Sequence, residues 1–270
     1  MAKVIKHITA GLLHLEVIGS VPDRTEHRRR AGRSSATSPA QQFYNNKCSW
    51  RELELMLAAN FGSGDMVVTY TYDNEHLPPD KKSGDKLLQK MFRKLRDTRK
   101  RRGQELKYVY ATEGFHGAQE DVYFGDDREL EDHRIHHHVV LNRVSADDLE
   151  EIRSLWPYGG YVRIEPLDIH YYQELAKYLT KEAREFGRAK PGERSWRASR
   201  NLVKYEVEYI DIPTDSVTLA APAGAVDYTT FSERNPYGFA DCIGARYLLF
   251  AVKQQPNYSY TRPRRKRTAS

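Results

Sequence analysis

The 270-residue sequence predicts an α+β fold, on three observations. Short runs rich in β-branched and aromatic residues intermix with longer segments whose apolar residues recur at helical spacing. Gly, Pro, Asp and Asn stand between them as turn formers. A hydrophobic content of 39% is enough to bury a core in a chain of this length.

The elements follow in order. Ser49 precedes Trp50 to Asn60, where Leu53, Met56 and Leu57 share a helical face, so a helix capped by Ser49 and ending near Gly62 is expected. Met66-Val-Val-Thr-Tyr-Thr-Tyr72 is β-branched and aromatic, and Asp73-Asn74 and Pro78-Pro79 stop it, which predicts a strand. Lys86 to Arg102 places Leu87, Leu88, Met91, Phe92 and Leu95 on one face and basic residues elsewhere, an amphipathic helix with a cationic exterior. Leu106 to Thr112 and Ile135 to Leu141 read as two further strands, joined by an acidic, glycine-containing connection from Gly117 to Asp132. Ser145 with Asp148 opens a helix over Leu149, Ile152, Leu155 and Trp156; Gly159-Gly160 ends it, and Tyr161 to Ile164 forms a short strand. Tyr171 to Phe186 has Leu175, Tyr178 and Leu179 at helical spacing with Gly187 at its end.

This order contains β-α-β-β-α-β with an added helix, a ferredoxin-like arrangement in which a mostly antiparallel sheet carries its helices on one face. Beyond Pro191 the pattern is less regular: Trp196 lies among Arg194, Arg197 and Arg200, and Val203 to Ile212 predicts a strand, with no architecture assigned. Asp23 to Gln42 holds Arg24, His27, Arg28, Arg29, Arg30 and Arg33 beside a small polar stretch, a flexible basic arm. Arg262 to Arg267 forms a second basic segment at the other end.

Composition narrows the partners. The net charge is +6 and the pI about 9.1, and the positive charge is bunched, which makes nucleic acid the first partner to test. No run reaches the roughly 20 apolar residues that span a bilayer, and the apolar stretch Ala10 to Gly19 is broken by His14 and Glu16. Membrane insertion and secretion are not indicated. Cys48 and Cys242 are the two cysteines, too few and too far apart for a disulfide framework or a cysteine zinc site, and a reducing cytoplasm is the expected compartment.

In Arg134-Ile-His-His-His-Val-Val-Leu141 alternate strand residues face the same way, so His136 and His138 project together and His137 points to the other side. Two imidazoles on one strand face can chelate one ion; a surface histidine run is the bland alternative. Glu113, at the exit of the preceding strand, could bring a carboxylate beside them. Such mixed nitrogen and oxygen ligation suits several divalent ions, since imidazole favours zinc and later transition metals while carboxylate favours magnesium and manganese. His137→Ala is expected to be mild. In Leu175-Ala-Lys-Tyr-Leu-Thr-Lys-Glu182, Lys181 lies one turn beyond Tyr178 on the same face. A phenol is ordinarily protonated at neutral pH, so a metal-bound phosphate and a neighbouring ammonium would assist its attack. Tyr70, Tyr72, Tyr108, Tyr110, Tyr171 and Tyr172 pack by default, and Lys90, Arg93, Arg194, Arg197 and Arg200 are candidate phosphate contacts.

Three blocks taken together resemble the HUH family of rolling-circle replication initiators, of plasmid and phage type. Val67-Val-Thr-Tyr-Thr-Tyr72 with Asp73 is similar to its first motif strand, Ile135-His-His-His-Val-Val140 to its paired histidines, and Tyr178-Leu-Thr-Lys181 to its tyrosine and lysine motif. The resemblance covers residues 66 to 184. It implies a ferredoxin-like HUH endonuclease domain over 49–190, flanked by an N-terminal extension (1–48), a C-terminal extension of uncertain fold (191–255) and a basic tail (256–270). It also implies nicking and joining of single-stranded DNA at a replication origin, with Tyr178 as nucleophile, Lys181 assisting, and Mg2+ or Mn2+ held by His136, His138 and Glu113. Glu174 stands where some relatives carry a second tyrosine, so a single-tyrosine enzyme is expected. No Gly-x-x-x-x-Gly-Lys loop occurs, so a host helicase is expected to unwind the duplex and a host polymerase to extend the released end. The alternatives are an inactive nucleic-acid-binding module, a transposase or relaxase of the same superfamily, and a zinc hydrolase.

Overall fold

The structure, a computed structural model, describes residues 3–20, 39–114, 134–181, 194–212, 219–233 and 242–250. The basic tail, the acidic connection and residues 23–38 of the basic arm lie outside them, whereas the last four residues of the expected arm, Pro39 to Gln42, are helical. In chain order the elements are β1 (Lys3–Ala10), β2 (Leu13–Ser20), α1 (Pro39–Asn60), β3 (Met66–Tyr70), α2 (Lys81–Arg101), β4 (Tyr108–Glu113), β5 (His136–Leu141), α3 (Asp148–Ser154), β6 (Val162–Pro166), a 3-10 turn (Ile169–Tyr171), α4 (Tyr172–Leu179), β7 (Arg197–Ala198), β8 (Glu206–Ile212), β9 (Ala225–Glu233) and β10 (Cys242–Leu249). They divide between two compact units, Gly32–Lys204 and a discontinuous one of Met1–Ala31 with Tyr205–Ser270. No helix among the described residues is long and apolar enough to cross a membrane.

The first of these units is built on an antiparallel sheet of order β6-β3-β5-β4-β7. Its first four strands, with α2 and α3 as crossovers, have the ferredoxin-like connectivity. Strand alternation sends Val68, Tyr70, Tyr108, Tyr110, Val139 and Leu141 to one face, where they pack with Leu88, Met91, Phe92 and Leu95 of α2 and Ile152 of α3. Each such side chain, once buried, contributes about 1.5–3 kcal/mol. These two helices share one face, and α4 approaches the other.

Helix starts are where the structure departs most from the sequence pattern. The α1 helix begins at Pro39, not after Ser49, whose hydroxyl lies 3.0 Å from that of Ser195. Residues 39–48 lack apolar periodicity, and proline is at home in a first helical turn, where its missing N–H would be unpaired anyway. The α2 helix starts at Lys81 because the Asp80 carboxylate accepts the Ser83 N–H at 2.6 Å. Asp148 gathers the N–H groups of Val144 and Ser145 and the Ser145 hydroxyl at the start of α3. Its carboxylate also meets the fully buried Arg99 at 3.2 Å. The α4 helix closes at Leu179, and the expected continuation to Phe186 lies outside the described residues.

The second unit is an antiparallel sheet of order β8-β1-β2-β10-β9. Gly11, at φ 58°, supplies the left-handed turn between β1 and β2. His14 and Glu16, which interrupt the apolar run, are the alternate positions of a strand whose Leu13 and Leu15 are buried. Glu16 accepts a hydrogen bond from the Tyr247 hydroxyl at 2.8 Å.

Candidate metal centre and active site

All three predicted ligands sit on adjacent strands. Glu113 pairs directly with His136 and Ala111 with His138 across β4 and β5, so one sheet face carries Glu113, His136 and His138 at neighbouring rungs. Their donor atoms converge within 4.8 Å of one another. The two Nε2 atoms are 3.1 Å apart, and each is 3.8 Å from Glu113 Oε2. Octahedral ligands about 2.1 Å from a metal stand about 3 Å from each other, so the imidazole pair already has chelating spacing.

The partners of the rings explain why those nitrogens point inward. His136 Nδ1 is 2.7 Å from the Arg134 carbonyl, which can only accept, so Nδ1 holds the proton and Nε2 a lone pair. The Thr69 hydroxyl, opposite His138 on β3, lies 3.1 Å from Nδ1 and can take its proton. In that tautomer two lone pairs face each other, an arrangement that a cation resolves. Burial first, then His136 and Lys181, hold His138 down to about 3, so its imidazole is neutral and able to ligate at physiological pH. Glu113, His136 and His138 are therefore positioned to bind a metal ion.

The predicted nucleophile is beside them. The Tyr178 hydroxyl is 3.1 Å from His138 Nε2, and the side chain is 44% exposed. Lys181 Nζ lies 3.4 Å from Glu113 Oε2 and 4.1 Å from the centre of the Tyr178 ring. Desolvation depresses its ammonium, but attraction to Glu113 and Tyr178 outweighs this and leaves its pKa raised, so Lys181 is a fixed cation.

An open groove of about 670 Å3 runs from the centre along β3 and β6 to the start of α4, lined by Arg134, Tyr161, Arg163, Tyr171 and Tyr178 among others. Tyr161 and Tyr171 are 61% and 59% exposed. Tyr161, Arg163 and Arg134 were not singled out from sequence. The signal for the first two was strand alternation: Val162 and Ile164 pack on the core, so their neighbours face outward. Of the other tyrosines weighed from sequence, Tyr70, Tyr72, Tyr108, Tyr110 and Tyr172 are buried.

The structure does not bring the predicted phosphate contacts to this groove. Lys90 and Arg93 are exposed on α2, the helix that covers the opposite sheet face, because its apolar stripe faces inward and its charges outward. Arg197 forms an ion pair with Asp85 of α2 and lies 5.9 Å from the Tyr110 ring, again on that reverse face. Arg194 and Arg200 are exposed and do not line the groove.

His137 points to the reverse face as predicted, but it is completely buried, with Nε2 2.6 Å from the Tyr72 hydroxyl and Nδ1 2.8 Å from that of Thr112. The expected mild effect on cleavage rested on this orientation; the burial adds a cost to stability when the ring is lost. Burial, followed by repulsion from His136 and His138, keeps it neutral, down to about 3.

No curated protein and no solved structure matches the chain. The family model for replication-associated proteins of the ORF2 type matches residues 65–183, the stretch that carries β3, the three metal-ligand candidates, Tyr178 and Lys181, and this match supports a replication initiator.

Proposed function

We propose that the protein nicks and rejoins single-stranded DNA through Tyr178, starting rolling-circle replication of a plasmid or phage. The observation that carries the reading is one cluster: a phenol 3.1 Å from an imidazole of a three-donor metal centre, with a lysine ammonium over its ring. A zinc hydrolase would need no phenol there.

The bound ion, Mg2+ or Mn2+, would supply Lewis-acid polarisation of a phosphate oxygen. The chain does the rest. Glu113, His136 and His138 would hold the ion; Tyr178 presents its oxygen to the phosphorus; Lys181 offsets negative charge beside it. The tyrosine O–P bond forms as the P–O3′ bond breaks, and the phenol proton lost is balanced by the proton that the 3′ oxygen takes up. The product is a 5′-phosphotyrosine and a free 3′-hydroxyl. Nothing is hydrolysed, so the reverse step rejoins the strand. The released end is a primer for a host polymerase, with strand separation by a host helicase. Exposed Tyr161 and Tyr171 offer stacking surfaces, each worth about 1–3 kcal/mol per base, and Arg134 and Arg163 offer phosphate contacts.

The test is denaturing electrophoresis of the protein after incubation with circular single-stranded DNA and Mn2+, followed by peptide mapping. A DNA adduct on Tyr178, absent in Tyr178→Phe while DNA binding persists, is expected. Cleavage that continues in Tyr178→Phe, or an adduct that maps to Tyr171, overturns the assignment.

A further inference from the structure

Thr112 and His137 face each other across β4 and β5 on the rung between the two that carry the ligands, Glu113 with His136 and Ala111 with His138. Their side chains meet on the reverse face of the sheet, 2.8 Å apart. This contact belongs to a longer chain with one consistent set of protons. Arg197 and the Thr112 hydroxyl donate to the two oxygens of Asp85. The Thr112 oxygen therefore accepts from His137 Nδ1–H, which leaves Nε2 to accept from the Tyr72 hydroxyl at 2.6 Å. The first turn of α2 lies directly behind: a Cβ on Gly84 would stand 3.3 Å from Ile135 and 3.4 Å from the His137 ring.

We propose that this partly buried chain positions the metal centre, the Thr112–His137 rung setting the separation and tilt of β4 and β5 at the level of the ligands. The proposal rests on Glu113, His136 and His138 being metal ligands. An apolar pair on that rung would tolerate sliding and splay, whereas hydrogen bonds weaken steeply away from their preferred length and angle. Asp85 anchors the rung to α2, and Tyr72 anchors it to the chain leaving β3. Thr112, His137 and Asp85 are positioning residues: they reach the metal through the strands, not by contact.

The experiment uses the full chain and Mn2+ alone, titrated by calorimetry, with Tm measured in parallel. Thr112→Val removes the hydroxyl at nearly constant volume, Thr112→Ser keeps it, and Leu88→Val perturbs the same core at a side chain that makes none of these hydrogen bonds. Thr112→Val should weaken Mn2+ binding by up to about 10-fold, at or below the roughly 10–100-fold of a partner bonded to a ligand itself, because Thr112 acts through the strands. Thr112→Ser should stay near wild type, and Leu88→Val should lower Tm without moving the affinity. Wild-type affinity in Thr112→Val, an equal loss in Thr112→Ser, or an equal loss in Leu88→Val each overturns the positioning role. A wild-type chain that binds no Mn2+ removes the ligand set and this role with it. Affinities that follow the expected pattern in a chain that forms no DNA adduct count against strand transfer alone.

Discussion

His136→Ala or His138→Ala removes one of three donors from the centre, whereas losing an outer partner alone costs about 10–100-fold in affinity. Each should therefore weaken Mn2+ binding by more than about 100-fold, measured by titration; His138→Ala, which empties a buried position bonded to Thr69 and Tyr178, should also lower Tm. His137→Ala should do something different. It leaves a cavity and strips partners from the Tyr72 and Thr112 hydroxyls, so a stability loss of about 2–4 kcal/mol is expected, read from urea unfolding. The ligand pair was legible because alternation along a strand is a local rule. The work of His137 was not, because its partners come from other segments, Tyr72 and Thr112. His14, in the other unit, carries a pH signature. Burial, then His7, holds it down to about 4, below the ordinary 6.5, and its ring lies against His7, Thr9 and Tyr247. The unfolded chain then takes up the proton first, so stability is full above about pH 6.5 and is lost as pH falls toward 4. His14→Asn should flatten Tm against pH over that window; an unchanged slope would refute the assignment.

At the scale of elements, strands β3 to β6 were readable from their β-branched and aromatic runs and the inward face of α2 from its apolar period, whereas the two-residue β7 was not foreseen. Nor were the starts of α1 and α2. Asp80 and Ser83 cap α2 ahead of a Gly84 that intrinsic propensity disfavours by about 1 kcal/mol relative to Ala, so the periodic pattern reads as beginning later. Gly84 is there because the helix turn lies against Ile135 and His137. The Gly159-Gly160 pair, read as a helix stop, does more. Both residues sit at φ 65°, and a Cβ on Gly160 would come 2.6 Å from the Thr71 backbone. There the Thr71 N–H donates to the Tyr161 carbonyl and the Tyr161 N–H donates to the Thr71 hydroxyl, a junction on the groove wall. Gly160→Ala should therefore destabilise the protein by about 1–3 kcal/mol and weaken single-strand binding, while Mn2+ affinity, set on β4 and β5, holds. Filter binding beside calorimetry separates the two effects.

Across the whole molecule, the least legible feature is the sheet assembled from both ends of the chain. Its strands β1 and β2 find partners in β8 and β10 some 200 residues later, and no local pattern announces such pairing. The order β8-β1-β2-β10-β9 puts the N-terminal strands in the middle, so removing residues 1–20 should unfold that unit and leave the Gly32–Lys204 unit able to bind Mn2+; loss of both together would show that the units fold as one. The rung that pairs Glu113 with His136 has a separate consequence. The chain departs from the metal centre at one residue of the rung and comes back at the other, so residues 114–135 form an excursion whose two ends are already fastened. Length is inexpensive in such a place, since doubling a loop costs only about 0.6 kcal/mol. Changes of length between these two ends need not disturb the ligands. Replacing residues 115–133 by a short Gly-Ser turn should leave Mn2+ affinity intact, measured by titration; a lost affinity would show that the segment helps to hold the ligands.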